Sequence, residues 1–176
     1  MRNIDTSLEF VPINICLITI SDTRKEGDDK SGNLLKERIV NFGHNVCKKI
    51  IIPDDIEVIK KTINNLSKDP LIDAVITTGG TGLTGRDSTP EAIIELSDKI
   101  IDGFGELFRQ ISFNKIGTST IQSRAIAAVI HHTYVFSLPG SPGACKDGWD
   151  DILQYQLDIR HKPCNFVEIM PRLKEK

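Results

Sequence analysis

AVITTGGTGLTGRDSTPE, residues 74–91, passes from a short apolar run through a glycine-rich loop into the start of a helix. Ala74 to Thr78 has the length and β-rich composition of a buried strand. Beyond the glycines, Pro90 suits a first helical position after a Thr89 cap, while Ser88 and Glu91 fit a capping box; the two registers stay open. A strand that feeds a helix through such a loop is the repeating unit of an α/β protein.

The same alternation runs outward in both directions. Ile13 to Ile20 (INICLITI), Asn45 to Ile52 and Tyr134 to Leu138 (YVFSL) read as further strands. Ser31 to Phe42 carries apolar residues at helical spacing, and Gly43 supplies a stop. Asp55 to Ser67 repeats the pattern with Ile56, Ile59, Ile63 and Leu66, and a last strong helix spans Ser141 to Leu157. Unbroken apolar strands are buried on both faces, so the expected fold is α/β with a mostly parallel central sheet covered by helices. The tail from Asp158 to Lys176 has no clear period and reads as a short edge strand or a subunit contact.

The length of 176 residues predicts one domain, residues 1–176, and 39% hydrophobic residues suffice for a core. A net charge of -2 with a pI near 6.1 gives no basic face for a nucleic-acid backbone, so nucleic acid is not an expected partner. The first ten residues lack the apolar centre of a signal peptide, and the Ile15 to Ile20 run is too short to span a bilayer. A cytoplasmic protein without membrane association is expected.

Four cysteines, at 16, 47, 145 and 164, form no C-x-x-C pair, which argues against a zinc site and a disulfide scaffold. Cys16 and Cys47 lie in apolar runs and read as small hydrophobes. Cys145 follows a glycine-rich loop, but sequence places no activating partner beside it. His131 and His132 are adjacent and read as surface residues.

Ligands of open α/β sheets bind at the carboxyl ends of the strands, so the loops there decide the function. In the loop after the third strand, Gly79, Gly80, Thr81 and Gly82 let backbone N–H groups approach an anion at a helix N-terminus. Gly80 to Gly85 matches G-x-G-x-x-G, but the loop does not follow the first strand and no acidic strand end lies about 20 residues on. A Walker A loop would need Lys and Ser/Thr where Arg86 and Asp87 stand. Both of those readings, and with them a dinucleotide-dependent oxidoreductase, fail on context.

Asp87 beside bound phosphate implies a cation between them or acid–base work, with Arg86 offsetting charge and helix capping as the plain alternative. After the second strand, Pro53-Asp54-Asp55 gives one aspartate, Asp55, to a helix cap and leaves Asp54 free at the same edge as Asp87. The pair is therefore the candidate metal-binding and catalytic set. Ser21-Asp22 follows the first strand, and Pro139-Gly140-Ser141 leads into the last helix with Ser141 and Pro142 as cap and first position. Gly117 to Ala125 (GTSTIQSRA) reads as hydroxyls before a helix, with Ser119 and Gln122 at capping-box spacing and Thr118 or Arg124 open to ligand contact.

TTGGTGLTGRDSTPE, followed by Gly103-Phe104-Gly105-Glu106 and by Leu138 to Gly143, closely resembles the MoaB/MogA family of molybdenum-cofactor proteins from about residue 10 to 166. Glu9-Phe10-Val11-Pro12, GTSTIQSRA and Arg160 to Phe166 resemble its B branch. The resemblance implies a three-layer α/β/α fold, a homotrimer or homohexamer, and work beside other molybdenum-cofactor enzymes. It also implies molybdopterin as substrate, and adenylylation of its phosphate by ATP with Mg2+, releasing pyrophosphate. The family's essential aspartates fall on Asp54 and Asp87. Ser21, Asp22, Gly79, Gly80, Thr81, Gly82, Arg86, Pro139, Gly140 and Ser141 would line the substrate site. The alternative is a non-catalytic molybdopterin-binding scaffold of the same pathway.

Overall fold

In the computed structural model, which describes residues 3–175, six strands form one sheet in the order β2-β1-β3-β6-β5-β4. The strands are β1 (Asn14–Ile20), β2 (Asn45–Ile52), β3 (Ala74–Thr78), β4 (Lys99–Ile100), β5 (Ile126–Ile130) and β6 (Thr133–Leu138). β2, β1, β3 and β6 are mutually parallel, whereas β5 runs antiparallel to both of its neighbours. The helices are α1 (Lys30–Phe42), α2 (Ile56–Ser67), α3 (Thr89–Leu96), α4 (Asp102–Ile116) and α5 (Pro142–Gly148), the last continuing through a π-helical turn, Trp149–Leu153.

Alternation of side chains along each strand sends successive residues to opposite faces, and the core divides accordingly. Ile15, Leu17, Ala74, Ile76 and Phe136 pack beneath Leu35 and Ile39 of α1, Phe104 and Phe108 of α4 and Trp149. On the other face Cys16, Ile18, Val75 and Val135 pack beneath Ile59 and Ile63 of α2 and Ala92 and Ile93 of α3. This is the three-layer α/β/α arrangement expected from the sequence.

Several local expectations need correction. No helix follows GTSTIQSRA: Gly117–Gln122 is a 3-10 turn, and the chain then enters β5. Among the described residues the tail makes no edge strand, only an isolated bridge between His161 and Ile4. It folds as a short helix, Phe166–Ile169, and a 3-10 turn, Met170–Lys174. Cys47 is exposed rather than a small core hydrophobe, because β2 is an edge strand with an irregularity in its pairing beside it. His131 and His132, expected at the surface, do lie there, half-buried and exposed respectively, in the β5–β6 turn and both with positive φ.

One buried carboxylate joins three of these elements. Asp29 caps α1 by accepting from the Gly32 N–H at 2.9 Å, accepts from the Thr19 hydroxyl of β1 at 2.8 Å, and pairs with Lys49 of β2 at 2.9 Å. Burial opposes its charge, but Lys49 and these donors outweigh that and hold its carboxyl below the usual range. Asp29→Ala leaves Lys49 without its partner and is expected to destabilise the fold by about 3–5 kcal/mol. Urea denaturation measures this, and a loss no larger than a surface substitution gives would show that the pair does not brace the elements.

Candidate functional site

The carboxyl ends of β2, β1, β3 and β6 bring four loops to one edge of the sheet. Thr78 lies beside Thr19 and Leu138 in register, so the loop after β3 starts at the centre of that edge. Gly79 turns the chain with φ +103, and a Cβ there would stand 2.2 Å from the Ile20 carbonyl oxygen. Gly80 follows with φ +63 in a slot where a Cβ would meet the Thr89 hydroxyl at 2.2 Å and the Asp54 carboxylate at 3.0 Å. Both conformation and space require glycine at these two positions.

The helix behind the loop resolves the capping question. Ser88 occupies the cap position, but its side chain makes no capping bond. Its hydroxyl instead reaches the Asp54 carboxylate at 3.5 Å, and the Thr89 hydroxyl donates to the Gly79 carbonyl at 3.2 Å. Asp55 caps α2 as expected, accepting from the Glu57 and Val58 N–H groups at 3.0 Å each. Asp54 is thereby left half-buried, with Ser88 as its weak partner. Burial pushes its carboxyl above the ordinary range, and the negative charges of Asp87 and Asp22 push the same way.

Asp87 sits in a different environment. It does not cap α3; its carboxylate accepts from the Thr84 hydroxyl at 2.6 Å and the Thr84 N–H at 2.9 Å. These bonds, the hydroxyl's first, hold its carboxyl below the usual range. The two aspartates are near enough for each charge to matter to the other, yet they differ in readiness to ionise.

Asp22 links two of the loops. One oxygen accepts from the Asp54 N–H at 3.1 Å, and the other pairs with Arg86 at 2.7 Å. Arg86 also donates to the Asp54 carbonyl at 3.3 Å. Ser21 accepts from the Arg24 N–H at 3.2 Å, while Arg24 and Ser31 each donate to the Gly140 carbonyl at 2.7 Å. Thr78 donates to the Pro139 carbonyl at 3.1 Å, and Ser141 caps α5 by accepting from the Ala144 N–H at 3.2 Å. The Gly79 backbone lies against Gly140. Thr81 is buried and Gly82 is half-buried beside Asp87. All the candidate residues thus lie on one edge.

Reading the sequence placed Arg24 and Ser88 in loops of this edge but gave them only turn and capping roles, missed Ser31, and left Arg124 open. Arg124 donates to the carbonyls of Gly82 at 2.8 Å and Asp87 at 2.9 Å and pairs with Glu91, clamping the glycine-rich loop from behind. Cys145 is fully buried and hydrogen-bonded to the Thr78 hydroxyl at 3.0 Å, with its thiol pushed up by burial, so it is closed to a substrate at this edge.

Among the described residues no three His, Cys, Asp or Glu side chains form a ready metal cage. Asp54 and Asp87 are nonetheless the carboxylates available to a cation that arrives with phosphates. Mg2+ binds in that manner, through one or two carboxylates, phosphate oxygens and water. The excess of negative charge felt by Asp54 fits such a cation.

Fold and site together define a class. Residues 16–159 match the family model described as a probable molybdopterin binding domain. Molybdenum cofactor biosynthesis protein B of Escherichia coli K12 is 43% identical over 169 residues, covering 96% of this chain and 98% of that protein. A crystal structure of a molybdenum cofactor biosynthesis protein B superposes with a TM-score of 0.84 at 40% identity, covering 94% of this chain and 98% of the other. The tungsten cofactor synthesizing protein MoaB from Pyrococcus furiosus superposes with a TM-score of 0.75 at 35% identity, over 93% of this chain and 98% of its own. The chain belongs to the molybdenum cofactor biosynthesis protein B family, and its role lies in that biosynthesis. Among the described residues no helix is long and apolar enough to cross a membrane.

The upward shift of Asp54 means that the fold disfavours its ionised form. The cost is absent when the carboxyl is protonated and complete once pH exceeds its raised pKa. Asp54→Asn is therefore expected to melt at a higher temperature than the parent, by a margin that widens as pH rises through the carboxylate range. Scanning fluorimetry across pH tests this, and a margin that shrinks with rising pH would show a stabilising charge.

Proposed function

We propose that the chain binds molybdopterin at this edge and transfers AMP from ATP to its phosphate, with release of pyrophosphate. The observation that carries the reading is the placement of Asp54. It is a half-buried carboxylate spared from helix capping, packed against Gly80 and within electrostatic reach of Asp87. An oxygen of the molybdopterin phosphate attacks the α-phosphorus of ATP, the new P–O bond forms, and the bond to pyrophosphate breaks. When bound, Mg2+ neutralises phosphate charge as the leaving group departs.

The protein's own part is positioning and electrostatics. Backbone N–H groups of Gly80, Thr81 and Gly82 hold a phosphate; the Gly79 N–H expected to join them instead donates to the Leu138 carbonyl at 3.1 Å, so Gly79 serves by turning the chain. Arg86, tethered to Asp22, balances charge at the rim, while Ser21 with Asp22 and Pro139 to Ser141 border the substrate. Asp54 and Asp87 would hold the cation, which would supply charge neutralisation for the ATP phosphates. The different environments of the two aspartates suit this division: donors from Thr84 hold the Asp87 carboxyl low, whereas burial and like charge hold that of Asp54 high.

The purified chain incubated with molybdopterin, ATP and Mg2+ is expected to yield adenylylated molybdopterin and pyrophosphate. Asp54→Asn and Asp87→Asn should each lower turnover by two orders of magnitude or more, while molybdopterin affinity changes little. Tight binding without product in the parent would replace the reading with a carrier or scaffold, and unchanged turnover in both variants would remove the aspartates from the mechanism.

We further propose that the chain, one molybdopterin-binding domain, self-associates as a homotrimer or homohexamer. Leu107, Phe113 and Ile116 of α4 are exposed, and Ile121 in the following turn is 82% exposed, more apolar surface than one helix face usually leaves in water. Ile121→Glu is expected to shift the sedimentation mass from oligomer towards monomer. An unshifted mass would place the contact elsewhere.

A further inference from the structure

Away from this edge, two thiols meet at the first pair of strands. Cys16 of β1 is buried beneath α2, while Cys47 of the edge strand β2 is exposed. Their sulfur atoms lie 2.9 Å apart. The strand pairing explains this approach. Ile15 pairs with Val46, but Cys16 pairs with Lys48, so Cys47 is the extra residue of a bulge. A bulge redirects side chains that regular alternation would separate, and here it turns an edge thiol over its buried neighbour. Burial and the nearby Cys47 together keep the Cys16 thiol protonated.

We propose that Cys16 and Cys47 are a paired-thiol modification site that hydroperoxides convert to a disulfide between β1 and β2. Cys47, the exposed member, reacts first. Its sulfur attacks a peroxide oxygen, an S–O bond forms and the O–O bond breaks, leaving a sulfenic acid and, from hydrogen peroxide, one water. The Cys16 sulfur then attacks the Cys47 sulfur; the S–S bond forms, the S–O bond breaks, and hydroxyl departs with the Cys16 proton as a second water. Two thiols are oxidised and one peroxide is reduced.

Nothing needs to travel far. The sulfurs are already closer than two unbonded sulfur atoms normally rest and need to close by less than 1 Å to reach the usual bond length of about 2.0 Å. The other two cysteines offer no competing pair within the chain: Cys145 is buried against Thr78 and Cys164 lies exposed in the tail segment. The new bond closes the whole β1–α1–β2 unit into a loop, which constrains the unfolded chain.

The test treats the full chain with stoichiometric hydrogen peroxide, blocks remaining thiols with iodoacetamide, and maps peptides without reduction. Two of the four thiols should become unreactive, with Cys16 and Cys47 recovered in one linked peptide lacking two hydrogens. The melting temperature should rise by several degrees and return to its starting value with dithiothreitol. Cys47→Ser, a change at an exposed position, should abolish the link and the thermal shift, whereas Cys164→Ser should retain both. Over-oxidation of Cys47 to sulfinic acid without a link would overturn the proposal. So would a bond joining Cys47 or Cys164 of two chains.

Discussion

The structure rests on a carboxylate removed from water. Asp29 is fully buried and accepts from Thr19, Gly32 and Lys49, so a single side chain fixes β1, β2 and the first turn of α1 against one another. A buried charge persists only where its partners are in place, which makes this junction rigid. The consequence extends to the candidate site. The turn that Asp29 caps carries Ser31, whose hydroxyl holds the Gly140 carbonyl, and Gly140 lies against Gly79. The loops after β1, β3 and β6 are thereby braced through contacts that begin at one carboxylate.

On that braced edge the chain places aspartates in contrasting surroundings. Asp87 is satisfied by two donors from Thr84 within its own loop, while Asp54 is crowded by burial and by like charge. Groups whose surroundings push their ionisation in opposite directions are what a site with a division of labour requires. The same neighbourhood with two well-paired aspartates would be more stable and less able to receive a cation. In the proposed reading, the local cost in stability and the capacity to bind a cation are the same property.

Much of this was legible in the sequence, and what escaped has physical reasons. The parallel strands β1, β3 and β6 announced themselves as apolar runs, whereas β2 carries Lys48 and Lys49 and lies half-exposed at the edge, and Pro53-Asp54-Asp55 told which aspartate would be free because a cap consumes only one. β4 has two residues, too few for any period, and β5 has two alanines among its five residues after a hydroxyl-rich turn, so GTSTIQSRA read as a helix start. The role of Cys47 depended on a bulge, and no pattern of residue types records a one-residue slip in pairing. Ser88 looked like a cap by spacing, but the proximity of Asp54 across the edge draws its hydroxyl away.

The unread strand matters most for the site. In a wholly parallel sheet, residues that precede a strand lie at the edge opposite the ligand loops, and no arginine placed there could reach them. β5 reverses direction, so Ile126 pairs with Ser137 near the carboxyl end of β6. The residues just before β5 therefore arrive at the functional edge. Arg124 is among them, and it closes on the carbonyls of Gly82 and Asp87. A glycine-rich loop gains close approach at the expense of stiffness, and a guanidinium on two of its carbonyls restores part of that stiffness. The antiparallel strand is thus the means by which a loop that must be thin is also held still.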